Sequence, residues 1–92
     1  MLLLLALIMA MRAQAVSADP LYQIRDCETG GDYAKNTGNG YYGAYQFSLP
    51  TWNTVGGSGL PSDASPEEQD ARAYALLVNY GAYHWPVCGR GL

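Results

Sequence analysis

Ninety-two residues with five basic and eight acidic side chains, a net charge of −3 at pH 7, leave room for one small domain. That balance excludes nucleic acid as a partner, because binding it rests on neutralising phosphates with Lys and Arg. One histidine and two cysteines make no recognisable metal-ligand set, so neither a metal nor a cofactor is expected.

The chain opens on an apolar run from Leu2 to Met11, followed by small-residue sites at Ala13-Gln14-Ala15 and Val16-Ser17-Ala18. This is a signal-peptide pattern over residues 1–18, cut after Ala18 or Ala15, although the usual basic residue before the run is missing and Arg12 follows it. The run falls short of the roughly 20 apolar residues of a membrane span, so no stable membrane insertion is expected once it is removed. The expected product is a secreted domain over residues 19–92. Its four basic residues against eight acidic ones give a net charge of −4. Such a surface exerts no pull on anionic wall polymers, and any glycan binding must rest on stacking and hydrogen bonds.

A chain this small needs a staple, since one core of its size supplies only about 3 to 5 kcal/mol. Cys27 and Cys88 lie near opposite ends of the domain. A disulfide across that span is worth about 4 kcal/mol in the loop-entropy picture, and secretion favours it. Metal binding by these cysteines is the weaker alternative.

Asp19-Pro20 is a helix start, with aspartate as N-cap and proline at the first helical position, so Leu21 to Cys27 reads as two turns with Leu21 and Ile24 facing inward. Glu28 falls at the C-terminal end, where the helix dipole disfavours negative charge and pushes the carboxyl toward protonation. Gly30-Gly31 then turns the chain sharply, which can leave that carboxylate at the lip of a groove. Between Asp32 and Phe47 the composition shifts to Gly, Asn and Tyr. Asn39-Gly40 signals a hairpin turn, and Tyr41, Tyr42, Tyr45 and Phe47 suit short strands around it. The Gly-x-Gly-x-x-Gly match at Gly38 to Gly43 is not a dinucleotide site, for no strand precedes it and no helix opens at it.

Ser48 to Val55 reads as a second short helix, capped by Ser48 and ended by Gly56-Gly57. Ser65-Pro66-Glu67-Glu68 carries an N-cap, an N1 proline and a capping box. From there to Tyr80 a third helix is expected, with Ala71, Tyr74, Ala75 and Val78 inward and Asp70 and Arg72 outside. The tail from Gly81 returns Trp85-Pro86-Val87-Cys88 to the first helix. The fold class is thus α+β, mainly α, with short helices, one small hairpin and one disulfide.

No serine-histidine-acid set has suitable spacing, which leaves acid chemistry. Glu28 is the candidate catalytic group; the competing reading makes it one of eight acids on a solvated surface. An acid beside a groove lined by Tyr41, Tyr42, Tyr45 and Trp52 suits glycosidic bond cleavage, where the leaving oxygen is protonated and aromatic faces hold sugar rings. For each ring the alternative is ordinary core packing.

Cys27-Glu28-Thr29-Gly30-Gly31, then Asn36-Thr37-Gly38-Asn39-Gly40-Tyr41-Tyr42-Gly43, Gln46-Phe47, Thr51-Trp52 and Trp85-Pro86-Val87-Cys88, resemble the resuscitation-promoting factor catalytic domain, also found as the transglycosylase-like domain of secreted bacterial proteins. More distantly, Glu28-Thr29, Gly43-Ala44-Tyr45-Gln46 and Pro50-Thr51 are similar to the Glu-Ser and Gly-Leu-Met-Gln pattern of lytic transglycosylases. The resemblance implies a lysozyme-like fold, a Cys27 to Cys88 bond, Glu28 as catalytic acid, Thr51 near it, and Gln46, Tyr41 and Tyr42 lining the cleft. It also implies a cell-wall location and peptidoglycan strands as substrate, cut at the β-1,4 link between N-acetylmuramic acid and N-acetylglucosamine, and it allows a cell-wall endopeptidase as partner. The chain departs from the family pattern at Leu21, Thr29, Asp32-Tyr33, Tyr45 and Gly81-Ala82-Tyr83-His84.

The only nearby candidates for a second carboxylate, Asp26 and Asp32, read as surface groups. A single acid favours the lytic route, in which the muramic acid 6-hydroxyl attacks and a 1,6-anhydro product forms, over hydrolysis. Two non-enzymatic readings stand beside it: a peptidoglycan-binding module without turnover and a small signalling protein.

Overall fold

The computed structural model describes residues 19–92. The apolar run and its cleavage sites lie outside the described residues. Helix α1 spans Pro20–Thr29 and starts as expected, with the Asp19 carboxylate accepting from the Leu21 N–H at 2.9 Å. It runs two residues further than its periodicity indicated, so Glu28 belongs to its last turn. Gly30 ends it at φ 68°, a left-handed conformation that glycine adopts without steric penalty.

The expected hairpin is reduced to two antiparallel bridges, Asn36 with Tyr42 and Tyr42 with Phe47. Tyr42 and Phe47 exchange both backbone hydrogen bonds at 2.9 Å, closing a tight turn over the residues between them. Helix α2, Leu49–Thr54, is capped by Ser48. Helix α3, Pro66–Tyr80, begins on Ser65, whose hydroxyl accepts from the Glu68 N–H at 3.1 Å. Only this arm of the expected capping box is described; the Glu68 carboxylate reaches Arg72 instead, at 3.4 Å. Single 3₁₀ turns at Pro61–Asp63 and Ala82–His84 complete the element order.

The core joins Ile24 of α1, Trp52 of α2 and Leu76 of α3 to Tyr45, Phe47 and Trp85. Its aromatic rings meet edge to face, Tyr45 with Phe47 at 6.1 Å and Phe47 with Trp52 at 5.0 Å between centroids, the arrangement their quadrupoles favour. Gly57 lies flat against the Trp52 indole, and a β-carbon there would fall within 2.3 Å of the ring.

The inward face of α3 differs from the expected one. Gln69, Ala73 and Leu76 are buried, whereas Ala71, Tyr74 and Val78 face solvent and Ala75 is only half-buried. Asp70 and Arg72 are not outside either. Asp70 accepts from the Tyr33 and Tyr45 hydroxyls, and Arg72 donates to the Val55 carbonyl at 2.8 Å. The apolar periodicity misleads because the residue that sets the buried face is polar. The Gln69 carboxamide donates to the Tyr33 and Ala64 carbonyls at 3.0 and 2.9 Å and accepts from the Ala44 N–H at 3.0 Å. Those three backbone groups stand in separate loops that have no other secondary structure to satisfy them.

Gln69→Leu keeps the volume and strands all three groups, so it should lower unfolding stability by about 2 to 4 kcal/mol. Tyr74→Ala, on the exposed face, should change it by less than about 0.5 kcal/mol. Denaturant unfolding of the two variants checks the assignment of the buried face.

Candidate active site

Glu28 is held from both sides by its neighbours in sequence. Cys27 is bonded to Cys88, with α-carbons 5.5 Å apart, and one turn earlier the Gln23 side-chain amide donates to the carbonyls of Cys88 and Arg90 at 3.0 and 2.9 Å. Together they lay the tail along α1. On the other side the Thr29 hydroxyl donates to the Ala44 carbonyl at 2.9 Å, its one proton shared with the Arg25 carbonyl at 3.2 Å, and accepts from the Asp32 N–H at 3.0 Å. Thr29, noted above as a departure from the family pattern, thereby ties the end of α1 to the Gly43–Gln46 turn.

That turn needs its glycine. Gly43 sits at φ 77°, and a β-carbon on it would meet the Gln69 carboxamide oxygen at 2.3 Å. Gln46 also adopts a positive φ, 55°, which is uncommon for a residue with a side chain, and its amide nitrogen donates back to the Gly43 carbonyl at 3.0 Å.

Two hollows open between the turn and the tail. The larger, about 370 Å³, is lined by Glu28, Tyr41, Gln46, His84, Trp85 and the following Pro86 to Cys88. The smaller, about 190 Å³, shares Tyr41, Gln46, His84 and Trp85 with it and adds Ser48 and Thr51. The four shared residues make one groove of the two. It brings together Glu28, Gln46, Tyr41 and Thr51, and the Thr51 hydroxyl is held by the Ser48 hydroxyl at 3.0 Å.

Three of the expected aromatic lining residues are placed differently. Trp52 is fully buried, with its indole N–H donating to the Ser58 carbonyl at 3.1 Å, and it offers no face to a ligand. Tyr45 is likewise buried and borders only the floor of the groove. Its hydroxyl donates to Asp70 and accepts from the Arg25 guanidinium, and burial raises its pKa well above the ordinary phenol value. Tyr42 is half-buried at the bridge and lines neither hollow. Tyr41 is half exposed and is the tyrosine of this run that faces the groove.

The sequence pattern does not single out Ser48, Trp85 or His84, which also line the groove. Trp85 is anchored by its indole N–H on the Tyr45 carbonyl at 3.0 Å. Its position three residues before Cys88 was the available signal, because a disulfide at Cys27 carries the whole tail to Glu28. His84, the single histidine of the chain and one of the departures from the family pattern, lines both hollows. Among the described residues no three His, Cys, Asp or Glu side chains converge on a possible metal position.

Glu28 is the one carboxylate among the described residues lining the groove; Asp26 and Asp32 are exposed away from it. Its pKa is raised above the ordinary carboxyl value. The cause is burial, which disfavours the charged form, partly opposed by the Lys35 ammonium. The direction agrees with the helix-end argument, but desolvation by the groove walls produces it.

A sequence model of the family described as transglycosylase-like domain matches residues 15–88. The chain belongs to that family. Within it, the chain is 51% identical over 67 residues to resuscitation-promoting factor RpfE of Mycobacterium tuberculosis, covering 73% of this chain and 39% of the relative. It is 44% identical over 80 residues to resuscitation-promoting factor Rpf of Micrococcus luteus, covering 87% of this chain and 36% of the relative. Rpf1 of Corynebacterium glutamicum is 40% identical over 90 residues, covering 95% and 47% respectively. The chain therefore spans less than half the length of these curated relatives. The small, mainly helical domain with its single described disulfide is the fold expected of a transglycosylase-like, lysozyme-like domain.

Because burial lifts the folded-state pKa of Glu28 above its unfolded value, the native state holds this proton more tightly. The corresponding stability is full below the unfolded pKa and is lost as pH rises through the folded one. Glu28→Gln should therefore raise the Tm at pH 7 by a few degrees at most, with the gain vanishing toward pH 4, below which both states are protonated. Thermal unfolding of the pair across that range measures it.

Proposed function

We propose that this chain is a secreted enzyme that cleaves peptidoglycan glycan strands at the β-1,4 bond between N-acetylmuramic acid and N-acetylglucosamine. The observation that carries the reading is the half-buried Glu28, alone among the carboxylates of the described residues in a groove of polar and aromatic side chains, with burial favouring its protonated form. Family membership supports peptidoglycan as the substrate class, and the Cys27 to Cys88 disulfide suits an oxidising extracellular setting at the cell wall.

With one acid the lytic route fits best. The Glu28 carboxyl donates its proton to the bridging oxygen as the bond from the muramic acid C1 breaks, releasing the next sugar as its free hydroxyl. Positive charge develops at C1, the muramic acid 6-hydroxyl attacks it, and the Glu28 carboxylate takes the hydroxyl proton. The acid is regenerated and the sugar is left as a 1,6-anhydro ring, with no water consumed. In this reading Thr51 and Gln46 bind the strand and Tyr41 stacks on it, while Tyr45 and Trp52 support the groove from the core. Retaining hydrolysis in its usual form uses a second carboxylate about 5 to 5.5 Å from the first, and Asp26 and Asp32, both exposed, line neither hollow. Cell-wall remodelling, including regrowth from dormancy, is the setting that relatives named resuscitation-promoting factors suggest, and a wall endopeptidase acting beside the chain is part of this reading.

Incubated with purified peptidoglycan, the oxidised protein should release fragments whose muramic acid ends are lighter by one water than hydrolysed ends. Glu28→Gln should lower release by at least about 10²-fold with its near-UV dichroism unchanged. Mass spectrometry of the products decides the route. Hydrolysed ends alone would refute the lytic mechanism, and intact binding without release would make the domain a non-catalytic peptidoglycan-binding module.

A further inference from the structure

The departure from the family pattern at Tyr83-His84 falls at the groove. The 3₁₀ turn Ala82–His84 is fixed to the tail by the Trp85 N–H on the Ala82 carbonyl at 2.9 Å. Gly89 packs so close beneath that a β-carbon there would meet the Ala82 carbonyl at 2.8 Å. The turn is therefore a rigid mount. From it the His84 imidazole borders both hollows, at the junction between the Glu28 end and the Thr51 end.

Aromatic neighbours set the orientation of the ring. Tyr83 lies against it with centroids 4.2 Å apart and planes tilted by 32°, and Tyr80 meets it edge-on at 6.5 Å. Tyr83 is itself 69% exposed, so its packing onto His84 buries little of its own surface. Among the described residues no hydrogen bond uses either imidazole nitrogen, and neither is a buried unpaired atom. Both remain free for a ligand. A polar group already oriented by its neighbours gives up little freedom on binding.

We propose that His84 is a glycan-binding residue, its imidazole hydrogen-bonding an N-acetylated sugar ring at the middle of the groove, and that Tyr83 is a positioning residue holding it there. The inference rests on the glycan reading above. A sugar hydroxyl or acetamido group suits the site, because an imidazole offers ring nitrogens that can hydrogen-bond either one. The substrate class is that of the proposed function, alternating N-acetylated hexosamines crossing the groove past both hollows that His84 borders.

The test is equilibrium binding of soluble, peptide-free peptidoglycan glycan strands to the full oxidised chain carrying Glu28→Gln, so that no turnover intrudes. Adding His84→Ala should weaken binding about tenfold, as should His84→Phe, which keeps a ring against Tyr83 but has no nitrogen; His84→Gln should recover to within about threefold. Tyr83→Ala should weaken binding and Tyr83→Phe restore it, since only the ring positions His84. With Glu28 intact, His84→Ala should raise KM while leaving kcat within about twofold. Binding by His84→Ala within twofold of the parent, or by His84→Phe equal to the parent, would overturn the assignment, and so would absence of any glycan binding by the parent. Should His84→Ala lose its near-UV dichroism, the Phe and Gln variants decide. Release of fragments by the wild-type chain reports separately on the cleavage reading, so a binding groove that depends on His84 but does not cut would sink that reading and leave this one standing.

Discussion

The buried carboxamide of Gln69 is the interaction on which this small domain turns. A single side chain on α3 satisfies backbone groups at Tyr33, Ala44 and Ala64, in three loops that would otherwise carry unpaired donors and acceptors into the interior. It replaces the sheet that a larger protein would use to organise such loops. It also explains why position 43 is glycine, because the carboxamide occupies the space a side chain there would need. The turn carrying Gln46 to the groove and the helix carrying the core are thereby set in one register.

A second constraint acts at the other end of the groove. The Cys27 to Cys88 bond and the Gln23 hydrogen bonds clamp the tail to α1, while the Thr29 hydroxyl clamps the end of α1 to the Gly43–Gln46 turn. Glu28 lies between the two clamps. The walls that position it are also the walls that desolvate it, so the same contacts determine where the carboxyl sits and how firmly it keeps its proton. Its adjacency in sequence to both Cys27 and Thr29 is thus a mechanical arrangement in which one helical turn carries the acid and both of its anchors.

The half-buried polar cluster behind this site has a related role. Asp70 accepts from Tyr33 and Tyr45, and Arg25 bridges Tyr45 to Asp19, the N-cap of α1. Tyr45 can therefore fill the core with its ring while its hydroxyl remains paired, which reconciles a tyrosine at this position with full burial. The chain uses tyrosine in two ways. Tyr45 is structural because its polar tip finds partners inside, whereas Tyr41 and Tyr83 stay at the surface.

Sequence alone determined the features whose causes are local. The helix starts at Asp19, Ser48 and Ser65 follow from a capping side chain and an early proline, and the end of α1 follows from Gly30; both act within a turn of the chain. The motif around Cys27-Glu28 and the tail motif ending at Cys88 made the disulfide legible and singled out Glu28 as the candidate. What lay beyond it was set by partners 25 to 40 residues away. Gln69 faces inward because Ala44 N–H waits there, Asp70 is drawn in by two phenols, and Trp85 anchors on the Tyr45 carbonyl. Periodicity ranks residues by polarity and has no term for a polar side chain whose hydrogen bonds are all met in the interior. It therefore turns α3 to the wrong face, and the separate pairing of an acid with nearby aromatics counts Trp52 and Tyr45 as groove lining although their rings fill the core. Tertiary packing decided which aromatics build the core, which of them reach the groove, and that His84 stands at its centre, because only the folded chain brings the tail and the Gly43–Gln46 turn face to face.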